Sequence, residues 1–150
     1  MKNKITMRLK RNLRALALRM SMSNYLPNSL RIRLVKLGGV KCGSPLFIGQ
    51  QVIFDSLYPE NIEIGDHVHI TMGCIFLTHS LDTSFPNGIM WRQSRIKIGD
   101  HAFVGARTII CNNVEIGENS IVGAGSIVTK SIPPNEIWAG NPARFIKKRC

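Results

Sequence analysis

The chain lacks any apolar run long enough for a secretory signal or a membrane span, because arginines at 8, 11, 14 and 19 interrupt its first twenty positions. It also lacks a CxxC pair. Cys42, Cys74, Cys111 and Cys150 lie 32, 37 and 39 residues apart, so the close pairs that zinc and dithiol chemistry use are excluded and reduced thiols in a cytoplasmic protein are expected. No nucleic-acid motif or aromatic stacking platform accompanies the positive charge, which sets nucleic acid aside as a partner. Most telling is the missing acid. Residues 1 to 41 hold eleven Lys or Arg and no Asp or Glu, whereas residues 42 to 150 hold nine of each sign, so the whole net charge of +11 sits in the first segment.

In that basic segment Ile5, Leu9, Leu13, Leu16 and Met20 recur at helical spacing, with Arg8, Lys10, Arg14 and Arg19 on the other sides. The pattern predicts an amphipathic helix, interrupted at Asn24 and Pro27. A second short helix is expected over Ser29 to Leu37, stopped by Gly38 and Gly39. Two roles stay open: a cap packed on the end of the downstream domain, or an interfacial helix in which residues 1–23 touch anionic lipid at the inner face of a membrane. One helix can serve both.

From Ile98 the chain repeats every six residues. Ile98, Val104, Ile110, Ile116, Val122 and Val128 are aliphatic, and Gly99, Gly105, Gly117 and Gly123 follow four of them. The fifth places, Ala102, Thr108, Val114, Ser120, Ser126 and Ile132, are small or β-branched. This period predicts a parallel β-helix whose coils bury their aliphatic rows only by stacking on one another. Carried backwards, it places Ile64, Ile70 and Phe76 in the row, and before them Val40, Leu46, Val52 and Tyr58, as one unbroken phase from Val40 to Leu81. The phase fails between Asp82 and Lys97. The expected organisation is a helical segment over 1–39, the β-helix over 40–133 with a loop at 82–97, and a tail over 134–150.

The run IGDHAFVGARTIICNNVEIGENSIVGAGSIVTKSIPPNEIWAGNPARFIKKR, with FDSLYPENIEIGDHVHI and LTHSLD upstream, resembles the hexapeptide-repeat acyltransferases, especially the sugar and polysaccharide O-acetyltransferases. The resemblance implies an all-β fold, a left-handed parallel β-helix of hexapeptide repeats with a short α-helical N-terminal segment. It also implies a homotrimer with sites between subunits, and direct transfer of acetyl from acetyl-CoA to a saccharide hydroxyl, without metal or covalent intermediate. Phe103 stands where galactoside acetyltransferases often carry tryptophan. The expected process is assembly of a cell-surface polysaccharide, and the basic N-terminus favours a lipid-linked acceptor.

Such a transfer needs a base for the attacking hydroxyl, and histidine suits it near neutral pH. By resemblance that base is His79, in the TH motif just before the phase break. Gly105, Ala106, Gly123 and Ala124 are expected along the pantetheine arm, and Thr129, Lys130 and Arg144 near the adenosine phosphates. For the glycines and alanines, tight corners explain small residues equally well. Acceptor contacts are sought at Asp55 and Asp82, either of which can bond a sugar hydroxyl or orient the imidazole, and at Trp91 or Phe85, which can stack on a sugar face. His67 and His101 share the fourth place of consecutive coils and should stack about 4.8 Å apart, the start of a metal site or a solvated ladder. An amino-sugar N-acyltransferase and a non-catalytic trimeric scaffold remain as alternatives.

Overall fold

In each hexad the fifth, sixth and first places make a short strand, because they read inward, outward, inward, the two-residue alternation of a pleated chain. Ala102 and Val104 are buried while Phe103 between them is exposed. The fourth place then turns the corner in left-handed backbone: His67, His101, Arg107 and Asn119 have φ of 55°, 57°, 58° and 54°. The computed structural model describes residues 2–82, 90–111 and 113–149, with side chains from Thr6 onward, and it is a left-handed parallel β-helix.

Three parallel faces close the prism. A charged face stacks Lys41–Cys42, Ile62–Ile64, Ile96–Ile98 and Val114–Ile116. An aromatic face stacks Leu46–Ile48, Val68–Ile70, Phe103–Val104 and Ile121–Val122. An isoleucine face stacks Ile53–Phe54, Ile75–Phe76, Ile109–Ile110 and Ile127–Val128. Their inward residues form one core, in which the Phe54 and Phe76 rings stack at 4.9 Å.

The faces take their character from the outward sixth places. Lys41, Glu63, Lys97 and Glu115 alternate in sign up the charged face, with Lys41–Glu63 and Lys97–Glu115 pairs both at 2.8 Å. The other two faces present Phe47, His69, Phe103 and Ile121, and Ile53, Ile75, Ile109 and Ile127.

The phase read from Val40 to Leu81 is not continuous. Cys42 lies opposite Ile64, 22 residues on, whereas Ile98 lies opposite Ile116, 18 on. A short helical turn at Pro59–Asn61 lengthens the first coil. Val40, Leu46 and Val52 are therefore fifth places, and Tyr58 belongs to no row. Both inward places accept aliphatics, so a shift between them leaves the hydrophobic pattern unchanged.

The described part of the stretch expected as a loop over 82–97 carries strand instead. His79–Asp82 pairs antiparallel with Met90–Gln93, and Ile96–Ile98 rejoins the charged face. The tail is likewise a hairpin: Glu136–Gly140 extends the aromatic face and Ala143–Lys148 returns along it.

At the other end, helix α1 (Lys2–Ser21) packs on helix α2 (Asn28–Leu37). The Asn28 side chain donates to Leu46 O at 2.8 Å and accepts from Ile48 N–H at 2.9 Å, satisfying the edge strand of the aromatic face. Buried Arg31 donates to Ser21 O, Ser23 O, Leu26 O and Ile48 O, tying helices and prism together.

Candidate active site

Asp55 and His79 come from consecutive coils at the corner between the isoleucine and charged faces. Asp55 follows the strand Ile53–Phe54 and His79 follows Ile75–Phe76, which pair in register. The Asp55 carboxylate is buried. Its Oδ1 accepts from Leu57 N–H at 2.9 Å, and its Oδ2 accepts from Thr78 N–H at 3.0 Å and the Thr78 hydroxyl at 2.7 Å. The same Oδ2 is hydrogen-bonded to His79 Nδ1. Burial pushes the Asp55 carboxyl up, but the hydrogen bonds from Leu57, Thr78 and His79 outweigh it and hold the group below its ordinary value. An ionised carboxylate at Nδ1 makes Nε2 the basic nitrogen of the neutral ring.

The hairpin closes one side of this corner. Ser94 N–H donates to Thr78 O at 2.8 Å as the chain returns, and the exposed Trp91 ring meets His79 edge-on, centroids 5.2 Å apart and planes at 62°. Asp82, at the far end of the pair, forms an ion pair with Arg92 across the hairpin. Phe85 lies outside the described residues.

Gly105, Ala106 and Ala124 line a different corner, between the aromatic and isoleucine faces. There a groove of about 620 Å³ is bounded also by Arg31, Phe47, Met72 and Phe103. Gly105 is required by the fold itself, since a Cβ there would sit 2.5 Å from Ala124 N. At Gly123 an added Cβ would meet that of Ala139 at 2.8 Å. Thr129 and Lys130 are exposed beyond Ile127–Val128, at the same corner as His79, and exposed Arg144 lies in the returning strand of the tail. One chain thus brings Asp55, His79 and Trp91 together. It leaves the groove residues one prism face away.

A groove of about 810 Å³ follows the third corner past Lys41, Glu63, Lys97 and Glu118, away from His79. His67 and His101 stack on that corner at 4.7 Å and 8°, as their shared place predicts. Burial raises the thiols of Cys42, to about 11, and of Cys74 and Cys111, so none of these three is a ready nucleophile.

Sequence reasoning missed Thr78 as the link that fixes Asp55, although it adjoins His79 in the TH motif. It also missed the apolar outward columns, whose sixth-place residues recur coil after coil.

Residues 95–130 match the family model described as bacterial transferase hexapeptide (six repeats). A maltose O-acetyltransferase from Clostridium difficile 630 has the same fold with TM-score 0.74 and 28% identity, over 94% of this chain and 87% of that one. The match over 95–130 places the repeats of that transferase family on the upper coils of the prism. An N-acyltransferase from Bacillus cereus, AntD, solved with dTDP and 3-hydroxybutyryl-CoA, shares 30% identity over 74% of this chain and 63% of its own, with TM-score 0.67. Protein CapG of Staphylococcus aureus is 46% identical over 59% of this chain. The chain spans 54% to 60% of the length of the first curated relatives it matches.

Proposed function

We propose that this protein is an acetyl-CoA-dependent O-acetyltransferase acting on a saccharide hydroxyl during assembly of a cell-surface polysaccharide, in the cytoplasm. The observation that carries the reading is the buried Asp55 carboxylate on His79 Nδ1, an arrangement suited to general-base work at a partly exposed corner. His79 Nε2 removes the acceptor's hydroxyl proton as the oxygen attacks the thioester carbonyl. The C–S bond then breaks, and the proton passes from the imidazolium to the leaving CoA sulfur. Asp55 holds the imidazolium in place, and Trp91 offers a ring face for the sugar. Asp82, already engaged by Arg92, is assigned to shaping the hairpin.

The acetyl-CoA arm is assigned to the groove at Gly105, Ala106, Gly123 and Ala124, with Arg144 toward its phosphates and Thr129 and Lys130 reaching them from the copy that supplies His79. Because this groove and His79 lie at different corners of one prism, we assign each site to two copies in a homotrimer. The outward aromatic and isoleucine columns, exposed at Phe47, Phe103 and Ile53 and half-buried at Ile75, Ile109, Ile121 and Ile127, supply two apolar faces for such a ring, and the alternating charges of the third face suit solvent.

The Bacillus cereus neighbour favours a second reading, N-acylation of an amino sugar, with the same base and groove. Incubation with acetyl-CoA and a panel of hydroxyl and amino sugars, following CoA release, tests both. Turnover with hydroxyl sugars only, abolished in His79→Ala, is expected. Turnover confined to amino sugars selects the second reading, and a protein that binds no acetyl-CoA defeats both.

A further inference from the structure

Helix α1 meets the rest of the molecule along one side. Leu18 is 4% exposed in the core with Val35, and Arg14 reaches Glu60 at 3.9 Å. At about 100° per residue, Leu9, Leu13, Leu16 and Met20 fall on a stripe roughly opposite Leu18. They are 58%, 57%, 53% and 51% exposed. The apolar face read from the sequence therefore points away from the prism, and the contact side is built on Leu18 and its neighbours Ala15 and Ala17. On the same angular count Lys10 borders the stripe on one side and Arg8 and Arg19 on the other, all exposed.

We infer that this stripe docks on an anionic lipid surface. Four large apolar side chains in a row on an outward helix face are a contiguous patch that water disfavours. The charged side chains nearest the stripe, Arg8, Lys10 and Arg19, are all cationic, and Glu60 meets α1 at Arg14, on the side toward the prism. A second copy of α1 would bring two cationic rims together, while a polyphosphate partner would use the cations and leave the leucines in water. A bilayer of anionic lipid matches both parts, taking the leucines to the acyl boundary and the cations to the headgroups. No helix among the described residues is long and apolar enough to cross a membrane, so the contact is peripheral.

The placement has a consequence for the acceptor. Met7, Arg8, Lys10, Arg11 and Arg14 border a cavity of about 500 Å³ with the turn Ser56–Glu60, which directly follows Asp55. A docked α1 holds the Asp55–His79 corner beside the lipid, where a lipid-linked saccharide would be presented. This consequence rests on the proposed acetyl transfer; the docking itself does not.

Flotation of the full-length protein with phosphatidylcholine vesicles containing about one-third phosphatidylserine, against phosphatidylcholine alone, tests the docking. Binding to the anionic vesicles only is expected, weakened at about 1 M salt, where screening shortens to about 3 Å. Leu13→Gln/Leu16→Gln should bind at least about tenfold more weakly, since affinity follows buried apolar area. Lys10→Gln and Arg19→Gln should each cost about fivefold. All four side chains are exposed, so the thermal midpoint should not move. Failure of the wild type to float, or equal flotation of the leucine variant, overturns the inference. A leucine variant that changes oligomeric state also overturns it, by making a second copy the occupant. Each readout is independent of acetyl transfer.

Discussion

The carboxylate of Asp55 holds the Nδ1 of His79 from the coil below, 24 residues back in the chain. Two further donors from Thr78 and one from Leu57 hold that carboxylate in turn. His79→Ala should lower turnover by about 10² to 10⁴, the usual worth of a positioned base. Asp55→Asn keeps the shape but sets an amide against Nδ1 and favours the wrong tautomer, so kcat should fall by a similar order while KM for acetyl-CoA stays nearly constant. Steady-state kinetics of both variants check this. A matched rise in KM would move Asp55 from positioning to binding.

The same carboxylate makes stability depend on acid. Its folded value lies below the ordinary 3.8, so the unfolded chain takes up the proton first as pH falls. The contribution is fully present above the ordinary value and is lost below it, toward the folded value. Urea unfolding between about pH 3 and pH 7 should show a steeper acid loss for the wild type than for Asp55→Asn. Parallel profiles would remove Asp55 from the acid response.

Much of this was legible in advance, for reasons visible in single residues. The strands follow the six-residue period because Ile98, Val104 and Ile110 must turn inward in any coil that buries them. The longer first coil was hidden because Leu46 and Ile48 are both inward and both aliphatic. His79 stood out through its motif. Its partner was one of two alternatives for Asp55, decided only when the coils stacked Phe54 on Phe76. The direction of α1 was not legible, because periodicity shows that Leu9, Leu13, Leu16 and Met20 share a side but not which side faces the prism. Leu18 settles that by joining the buried core.

The outward columns predict which faces associate. Ile109→Lys places a cation amid Ile75 and Ile127 on the isoleucine face, and Phe103→Lys does so between His69 and Ile121 on the aromatic face. If the proposed trimer forms through these faces, both should shift it to monomer in sedimentation velocity, since an unpaired charge at a desolvated contact is costly. Lys97→Gln, on the charged face, should leave the assembly unchanged. A trimer that survives both face variants would disconnect these columns from association.

A shared site makes a quantitative prediction about mixtures. Take His79→Ala, which lacks the base but keeps the groove, and Ala124→Trp, which keeps the base but fills the groove beside Ala106 and Phe103. Each alone should be inactive. In randomly reassembled trimers from equal amounts, each interface works only when an intact base meets an intact groove across it. Half of the protomers carry each intact part, so in a ring of heterologous contacts about a quarter of the wild-type sites are restored. Recovery near that fraction, measured as CoA release after mixing and reassembly, is expected. If base and groove instead served the same copy, no protomer in the mixture would hold both, and activity would stay at the level of the separate variants.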